Sequence, residues 1–537
     1  MSDAAPPSPP PTAAPVPPPP ASPLRTFGYF LASLLFGLTS GLSNNLVAVN
    51  TQAAQAQFGA TTNEALWLMA AYSATSATAT LLLWKFRTQY GIRIFAKLGL
   101  GFFALVSLAH LFTNDLGQAV LLRAVAGFAT APLGTLAFLY MLEPLPPAKK
   151  LTVGICFGLM GSQVATPLAR VISPYLLQLG LWHGLNVVEM GLALISFAVV
   201  HLVPITPPPR AKVFDRVDII SLPLLMLGCG LISVALTLGR YYWWTEVPWL
   251  GLTLAGGIAA LTLLLTIELN RAQPLLHMRF LSSGAMIGFG GSMLILRFIL
   301  AEQTTGVVSF FQNLGFLNDQ MTGLFWVITA ATAAGYLLVS LINEPQKAEG
   351  IHLVALSLIA AGAWMDSQST SLTRPHDMYL SQAMVAFGAA IFLPAAMSWS
   401  FAHLIRTGMN FISSYLAVFL ASQTFGGLLG SAGLGTLLVY REKFHSSHIV
   451  QSLTLQNPMV AQRVQQYSGA YAGTLGDPTL RGAEGTVMLG QVASRESYVL
   501  AYNDVFRVVA VAAAVAVLLL LCHMTYKRLR SLQPLAA

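Results

Sequence analysis

The sequence predicts an all-α integral membrane protein of about fourteen spans, and three observations carry that prediction. Of the 537 residues, 55% are hydrophobic and only 9% are charged, which leaves too little polar surface to coat a soluble globule. Apolar stretches of about 20 residues, the length that crosses a bilayer, recur along the chain with short polar breaks between them. Backbone amides in lipid have no water to bond, so such stretches must be helices that satisfy their own hydrogen bonds.

In chain order, residues 1–26 come first and contain "APPSPPPTAAPVPPPPASP", a run that cannot build a helical ladder and is expected to be an extended, disordered cytoplasmic arm. The apolar stretch that begins at Phe27 is long enough to stay as a span, so it does not read as a signal peptide. Six spans are predicted over 27–205, near 27–49, 63–84, 94–113, 119–143, 151–176 and 184–205. Region 206–283 holds two more, near 218–239 and 247–268, followed by a cytoplasmic link. The remaining six fall within 284–524, near 284–311, 320–343, 351–368, 378–402, 411–440 and 504–524, with a polar external loop at 442–503 and a cytoplasmic tail at 525–537.

Basic residues set the orientation. With the N-terminus inside, the segments on the cytoplasmic side carry seventeen Lys and Arg, while the short loops opposite carry only Arg240 and Arg374. Both termini are therefore expected inside, and the net charge of +8 reads as topology rather than nucleic-acid binding. Cys156, Cys229 and Cys522 lie in or beside apolar segments without paired spacing, so neither a disulfide framework nor a zinc site is expected. No nucleotide loop, metal-ligand spacing or Ser-His-Asp arrangement is present, and the chain does not read as an enzyme.

Several order-preserving features resemble one family. They are "REKFH" after span 13, a polar segment of some sixty residues, "AYNDVF" opening span 14, "SQAMVAFGAAIFLP" in span 12, "QPLLHMRFL" before span 9 and Trp67 in "EALWLMAAYS". Together they resemble the fourteen-helix drug:proton antiporter branch (EmrB/QacA-like) of the major facilitator superfamily, over nearly the whole chain after the arm. The resemblance implies two six-helix repeats plus two extra central helices, in a bacterial inner membrane. It also implies export of amphipathic or anionic small molecules driven by the proton gradient, with no bound cofactor. A periplasmic adaptor and an outer-membrane channel are the partners it suggests. An uptake carrier or uniporter of the same fold, and a receptor or assembly factor that transports nothing, remain the alternatives.

Some family signatures are altered here. The gating loop after span 2, "WKFRTQYGIR", keeps Lys85, Arg87, Gly91 and Arg93 but has no acid. Ser43 stands where the family's first helix carries an aspartate, and Arg123 and Gly127 match the arginine and glycine of its span 4 motif.

An ionised side chain at the bilayer centre costs about 2.5–3.5 kcal/mol on insertion scales, so charges inside spans mark candidate sites. A rise of about 1.5 Å per residue puts Arg123, Arg170 and Glu189 toward the same outer third of the membrane. Two readings stay open there: a cluster that binds an anion or couples to protons, or an Arg170–Glu189 ion pair that only neutralises two costly charges. On span 9, Arg297 and Glu302 lie five residues apart, roughly 140° around the helix, and are expected to find separate partners. Glu302 is the leading candidate for the coupling acid, and Arg123 and Arg297 for contacts to an anionic substrate. Glu64, Asp115, Glu143, Glu268, Asp366 and Asp377 are expected at membrane interfaces, solvated and without a role. The glycines at 288–292 and 426–435 are expected to serve helix packing.

Overall fold

The structure is a computed structural model that describes residues 23–146, 149–180, 182–206, 210–271 and 274–532. Most of the proline-rich arm, Gln273 of the link and the end of the tail lie outside these residues. Among the described residues, fourteen helices are long and apolar enough to cross a membrane. Spans 1 to 7 are Pro23–Val49, Thr62–Tyr90, Ile92–His110, Leu116–Leu142, Lys150–Gly180, Trp182–Leu202 and Asp218–Tyr242. Spans 8 to 14 are Pro248–Leu269, Gly284–Asn313, Thr322–Ile342, Pro345–Asp366, Pro375–Thr407, Ile412–Ser452 and Pro478–Arg530. The face from which span 1 starts is called the near face; odd-numbered spans begin there and end at the far face.

Local chemistry sets many of the helix ends. The Thr61 hydroxyl accepts from the Glu64 amide while the Glu64 carboxylate accepts from the Thr61 amide, a reciprocal cap at the start of span 2. Asp115 caps span 4 and Ser283 caps span 9. Span 1 starts four residues before Phe27, because Pro23 in the first turn gives up an amide that has no helical partner anyway. The interface expectation holds for Glu64 and Asp115, which are exposed at helix starts.

The segment 442–503 departs from the expected loop. Span 13 continues unbroken to Ser452, a helix follows at Pro458–Ala470, and the last helix begins at Pro478 and runs 55 residues to Leu532. At 1.5 Å per residue that helix is about 80 Å long, against a hydrocarbon core of about 30 Å, so its first part stands clear of the bilayer. Polarity marked this segment as outside the membrane, but most of its residues are adequate helix formers once the preceding span has nucleated the helix. Asp504 ties the bases of the two long helices together through Arg441 at 2.6 Å and His445 at 2.7 Å.

Small residues bring the spans together. A Cβ on Gly37 of span 1 would lie 3.1 Å from the Gly161 Cα of span 5, and one on Gly430 of span 13 would lie 2.9 Å from the Phe298 backbone of span 9. The 426–435 stretch thus packs as expected, whereas in 288–292 only Gly290 meets a neighbour. One apolar core joins Phe36, Phe95, Leu133 and Tyr140 of the first six spans, and another joins Met293, Ile359, Phe392 and Val505 of the last six. Span 7 lies against spans 2, 8 and 13, so the central pair borders both groups.

Candidate functional site

Between the two groups, span 5 meets spans 9, 10 and 12 around a cavity of about 70 Å³. Gln163 and Thr166 line it from the first group, and Arg297, Gln303, Thr332 and Tyr336 from the second. Arg297 is steered by Gln423 of span 13, whose side-chain oxygen accepts from its Nε at 2.5 Å. Drug-sized ligands fill pockets of about 300–1,000 Å³, so the cavity as it stands holds no more than a few waters. Contacts join the groups on either side of it. On the near face, Asn343 Nδ2 donates to Ser398 Oγ at 2.6 Å, and that hydroxyl donates to the Leu151 carbonyl at 2.6 Å. On the far face, Arg170 Nη1 donates to Asn318 Oδ1 at 3.4 Å, and Asn318 Nδ2 donates to the Val49 carbonyl at 3.4 Å.

Arg170 therefore bridges the two groups and does not pair with Glu189. Its guanidinium also lies over the Phe325 ring, 5.2 Å from the centroid. The expected Arg170–Glu189 ion pair fails because equal depth on consecutive helices does not fix azimuth. Arg170 faces the last six spans, whereas Glu189 faces span 1. There the Ser43 hydroxyl donates to Glu189 Oε1 at 2.5 Å, and Arg123 Nη1 donates to the Ser43 carbonyl at 3.0 Å. Arg123 packs 4.4 Å over the Tyr72 ring and lies within the electrostatic reach of Glu189. This buried cluster carries one acid and one cation.

The counterpart in the last six spans is built differently. Glu302 opens a five-residue π turn, Glu302–Gly306, an irregularity that re-aims side chains and is frequent at functional sites. Its carboxyl is fully buried, and Gln382 Nε2 donates to its Oε1 at 3.1 Å. The same nitrogen donates to Asp366 Oδ2 at 2.7 Å, and the Ser381 hydroxyl donates to Asp366 Oδ1. Two oxygens bonded to one nitrogen lie no more than about 6 Å apart, where two full charges repel by about 3 kcal/mol at an effective dielectric of 20. Neither carboxyl has an ion-pair partner among the described residues, no donor reaches Glu302 Oε2, and the two carboxyls lie within hydrogen-bonding reach of each other when one is protonated. Arg297 and Glu302 do not bond to each other, in keeping with their separation around the helix.

Asp366 was expected to be solvated, yet it is only 2% exposed. The turn into span 12 folds back over it, and the signal available was its place just inside the predicted end of an apolar run. Glu268 is equally buried and corrects the same expectation. It belongs to a charge cage on the near face, where Lys85 Nζ meets Asp218 Oδ2 at 2.6 Å and Arg271 Nη1 meets Asp218 Oδ1 at 2.8 Å and Glu268 Oε1 at 3.2 Å. The acid absent from the loop after span 2 thus comes from span 7, a contact that no local spacing could reveal. Gly91 ends span 2 at φ +94°, a left-handed backbone, with the Arg210 side chain packed where a Cβ would point. Arg93 lies beside a separate cleft of about 350 Å³ near Tyr140 and His201, and neither it nor Arg87 joins the cage.

Fourteen helices able to cross a membrane, in two groups about a central cavity, match the major facilitator fold. The human organic anion transporter MFSD10 superposes with a TM-score of 0.55 at 12% identity, over 92% of this chain and 100% of that one. The proton:xylose symporter XylE superposes with a TM-score of 0.52 at 13% identity, over 91% and 95%. A bacterial homologue of the lysosomal transporter Spinster gives a TM-score of 0.52 at 13% identity, over 93% and 97%. In sequence the chain is 22% identical over 506 residues to the probable multidrug resistance protein EmrY of Escherichia coli (strain K12), covering 91% of this chain and 92% of EmrY. It is 21% identical over 463 residues to the multidrug export protein EmrB of the same organism, covering 83% and 86%. No family model matches the chain. The chain is a polytopic membrane protein of the major facilitator fold that resembles the EmrB-like branch.

Proposed function

We propose that the protein is a secondary active exporter of amphipathic or anionic small molecules, driven by the proton gradient across a bacterial inner membrane. The near face is cytoplasmic, and Glu302 is the coupling acid. The observation that carries this reading is the central cavity. It lies where the two groups of spans meet, presents the Arg297 side chain with the polar Gln163, Gln303 and Tyr336, and is flanked on the near face by the neutral Ser398–Leu151 contact and on the far face by the Arg170 guanidinium on Asn318. A neutral hydrogen bond contributes about 0.5–1.5 kcal/mol and one to a charged group about 1.5–3 kcal/mol, so such contacts can break alternately as the groups rock. A cavity this narrow would enlarge when either face opens. The names of EmrY and EmrB support drug-like substrates, and a lone cavity arginine favours those with an anionic group. The helical projection on the far face is the surface offered to a periplasmic adaptor and, through it, an outer-membrane channel.

Proteoliposomes with an imposed pH gradient test the reading, using sulforhodamine as an amphipathic anion and ethidium as an amphipathic cation. The wild type should concentrate sulforhodamine on the acidic side. Arg297→Gln should lower that rate at least tenfold and lower ethidium movement far less. Equal losses for both dyes would remove the anion-contact role. The orientation is tested with an impermeant thiol reagent on intact cells carrying Ser447→Cys or Thr479→Cys, both exposed on the projection, with Cys522 replaced by Ser. Labelling only after the cells are broken would reverse the topology.

A further inference from the structure

We propose that Glu302 and Asp366 carry the coupled proton as one unit bridged by Gln382, and that Gln303 links this unit to the cavity. The inference deepens the proton-coupled reading above and rests on it. A merely structural pair of buried acids would be matched by cations, but this one is not. The elements packed around it offer few charges. Span 12 contributes Ser381 and Gln382, and span 13 contributes Ser431, which pairs with Thr305. Span 14 contributes Asn503, committed to the Ser369 carbonyl, and Tyr502, committed to Asn313. On span 9 itself the cation, Arg297, is turned to Gln423. Two carboxyls enclosed in this way cannot both stay ionised at rest, because each would be a buried charge with a like charge beside it.

Glu302 Oε2, which no donor reaches, is where the added proton sits, with the Asp366 carboxylate in reach as its acceptor. A water carries it in from the far face and transfers it to that oxygen; one O–H bond breaks, one forms, and the pair goes from two negative charges to one. The amides transmit this change. Gln382 Nε2 serves both acids, and Gln303 Nε2 donates in turn to the Gln382 side-chain oxygen at 3.0 Å and its backbone oxygen at 3.2 Å. Gln303 also lines the cavity, so deprotonation, which forces the Gln382 amide to serve two full charges, shifts a residue of the substrate wall. Asp366 and Gln382 act through Glu302 and are positioning residues.

The test uses the full-length protein and two measurements: the carboxylic acid carbonyl band in infrared spectra against pH, and gradient-driven sulforhodamine transport against pH. The wild type should show a protonated carboxyl at neutral pH that disappears in Glu302→Gln. Asp366→Asn removes the neighbouring charge and should move both pH profiles at least one unit toward acid. Ser381→Ala keeps both carboxyls but withdraws a donor from the Asp366 carboxylate, and should move the profiles the opposite way by a few tenths of a unit. If Asp366→Asn fails to fold, Ser381→Ala and Asp366→Glu carry the test, the latter keeping the wild-type profile. Opposite shifts cannot come from loosened packing alone. Profiles unchanged in Asp366→Asn and Ser381→Ala, or no protonated carboxyl in the wild type, would overturn the shared site. Titration as expected without gradient-driven dye movement would uphold the shared proton and overturn only the exporter reading.

Discussion

The two groups of six spans join their fourth helix to their first at matching points and place their buried acids differently around that contact. Arg123 stands seven residues after Leu116 at the start of span 4, and Gln382 stands seven after Pro375 at the start of span 12. Ser43 lies twenty residues after the start of span 1, and Glu302 eighteen after the start of span 9. At each site a residue of the fourth helix reaches a residue of the first. In the first group that residue is a cation, and the acid it balances, Glu189, comes from the sixth helix. In the second it is a neutral amide, the first helix carries the acid, and a second acid arrives from the third. The difference teaches that similar geometry can serve two tasks. A balanced acid and cation hold fixed charge and fasten helices together, while two acids around an amide leave room for a proton.

Removing each acid in turn is the most severe way to break that comparison. Glu302→Gln should abolish gradient-driven movement of sulforhodamine and leave exchange at equal pH largely intact, with folded yield near that of wild type because a burdened carboxyl has been neutralised. Glu189→Gln removes the counter-charge nearest the buried Arg123, which it reaches through Ser43 and not by a direct ion pair, and leaves that cation uncompensated. Most folded protein should be lost, and what survives should still be gradient-driven. Double substitution with Arg123→Gln should recover part of the yield. Fluorescence-detected size-exclusion gives the yields, and the dye assay gives the coupling. If Glu189→Gln folds normally and uncouples while Glu302→Gln stays coupled, the roles of the two groups are exchanged.

The near-face cage extends the comparison to a site where one acid has two cations. Asp218→Asn leaves Lys85 buried without a partner, whereas Lys85→Met leaves Asp218 paired with Arg271. The first should cost the more, by about 1–3 kcal/mol, the penalty of a buried polar group left unsatisfied. Melting in detergent measures both, and an equal or greater loss for Lys85→Met would show that Arg271 does not back up the contact.

Much of the architecture was legible in the sequence because span length and apolar content are properties of a single segment. Fourteen helices cover the fourteen predicted spans, the last two running well beyond them, and Glu302 drew notice as a carboxyl deep within an apolar run. What stayed hidden depends on azimuth and on distant parts of the chain. The partner of Lys85 lies 133 residues away, that of Ser43 lies 146 away, and the turn that buries Asp366 reads like any polar turn. The projection at 442–503 was misread because polarity reports position relative to the membrane and not backbone conformation. Arg170 was matched to the wrong partner because depth along two helices leaves rotation about each free.

The finest test of the comparison removes one hydroxyl from each site. Ser43 donates to Glu189, and Ser381 donates to Asp366, so the chemical change is the same in Ser43→Ala and Ser381→Ala. The Glu189 carboxylate has Arg123 as its counter-charge and no second acid to share a proton with. The loss of a hydrogen bond to a charged group should appear as instability of about 1.5–3 kcal/mol, with the pH profile of transport unmoved. Asp366 has another course open to it: the pair can hold its proton more tightly, which spares the carboxylate the full loss. Ser381→Ala should therefore melt within a few degrees of wild type and show its effect as an alkaline shift of the transport profile. The two variants should separate cleanly on a plot of melting temperature against profile midpoint, one moving along each axis. If both move along the stability axis, the second group is as charge-balanced as the first and the proton is carried elsewhere.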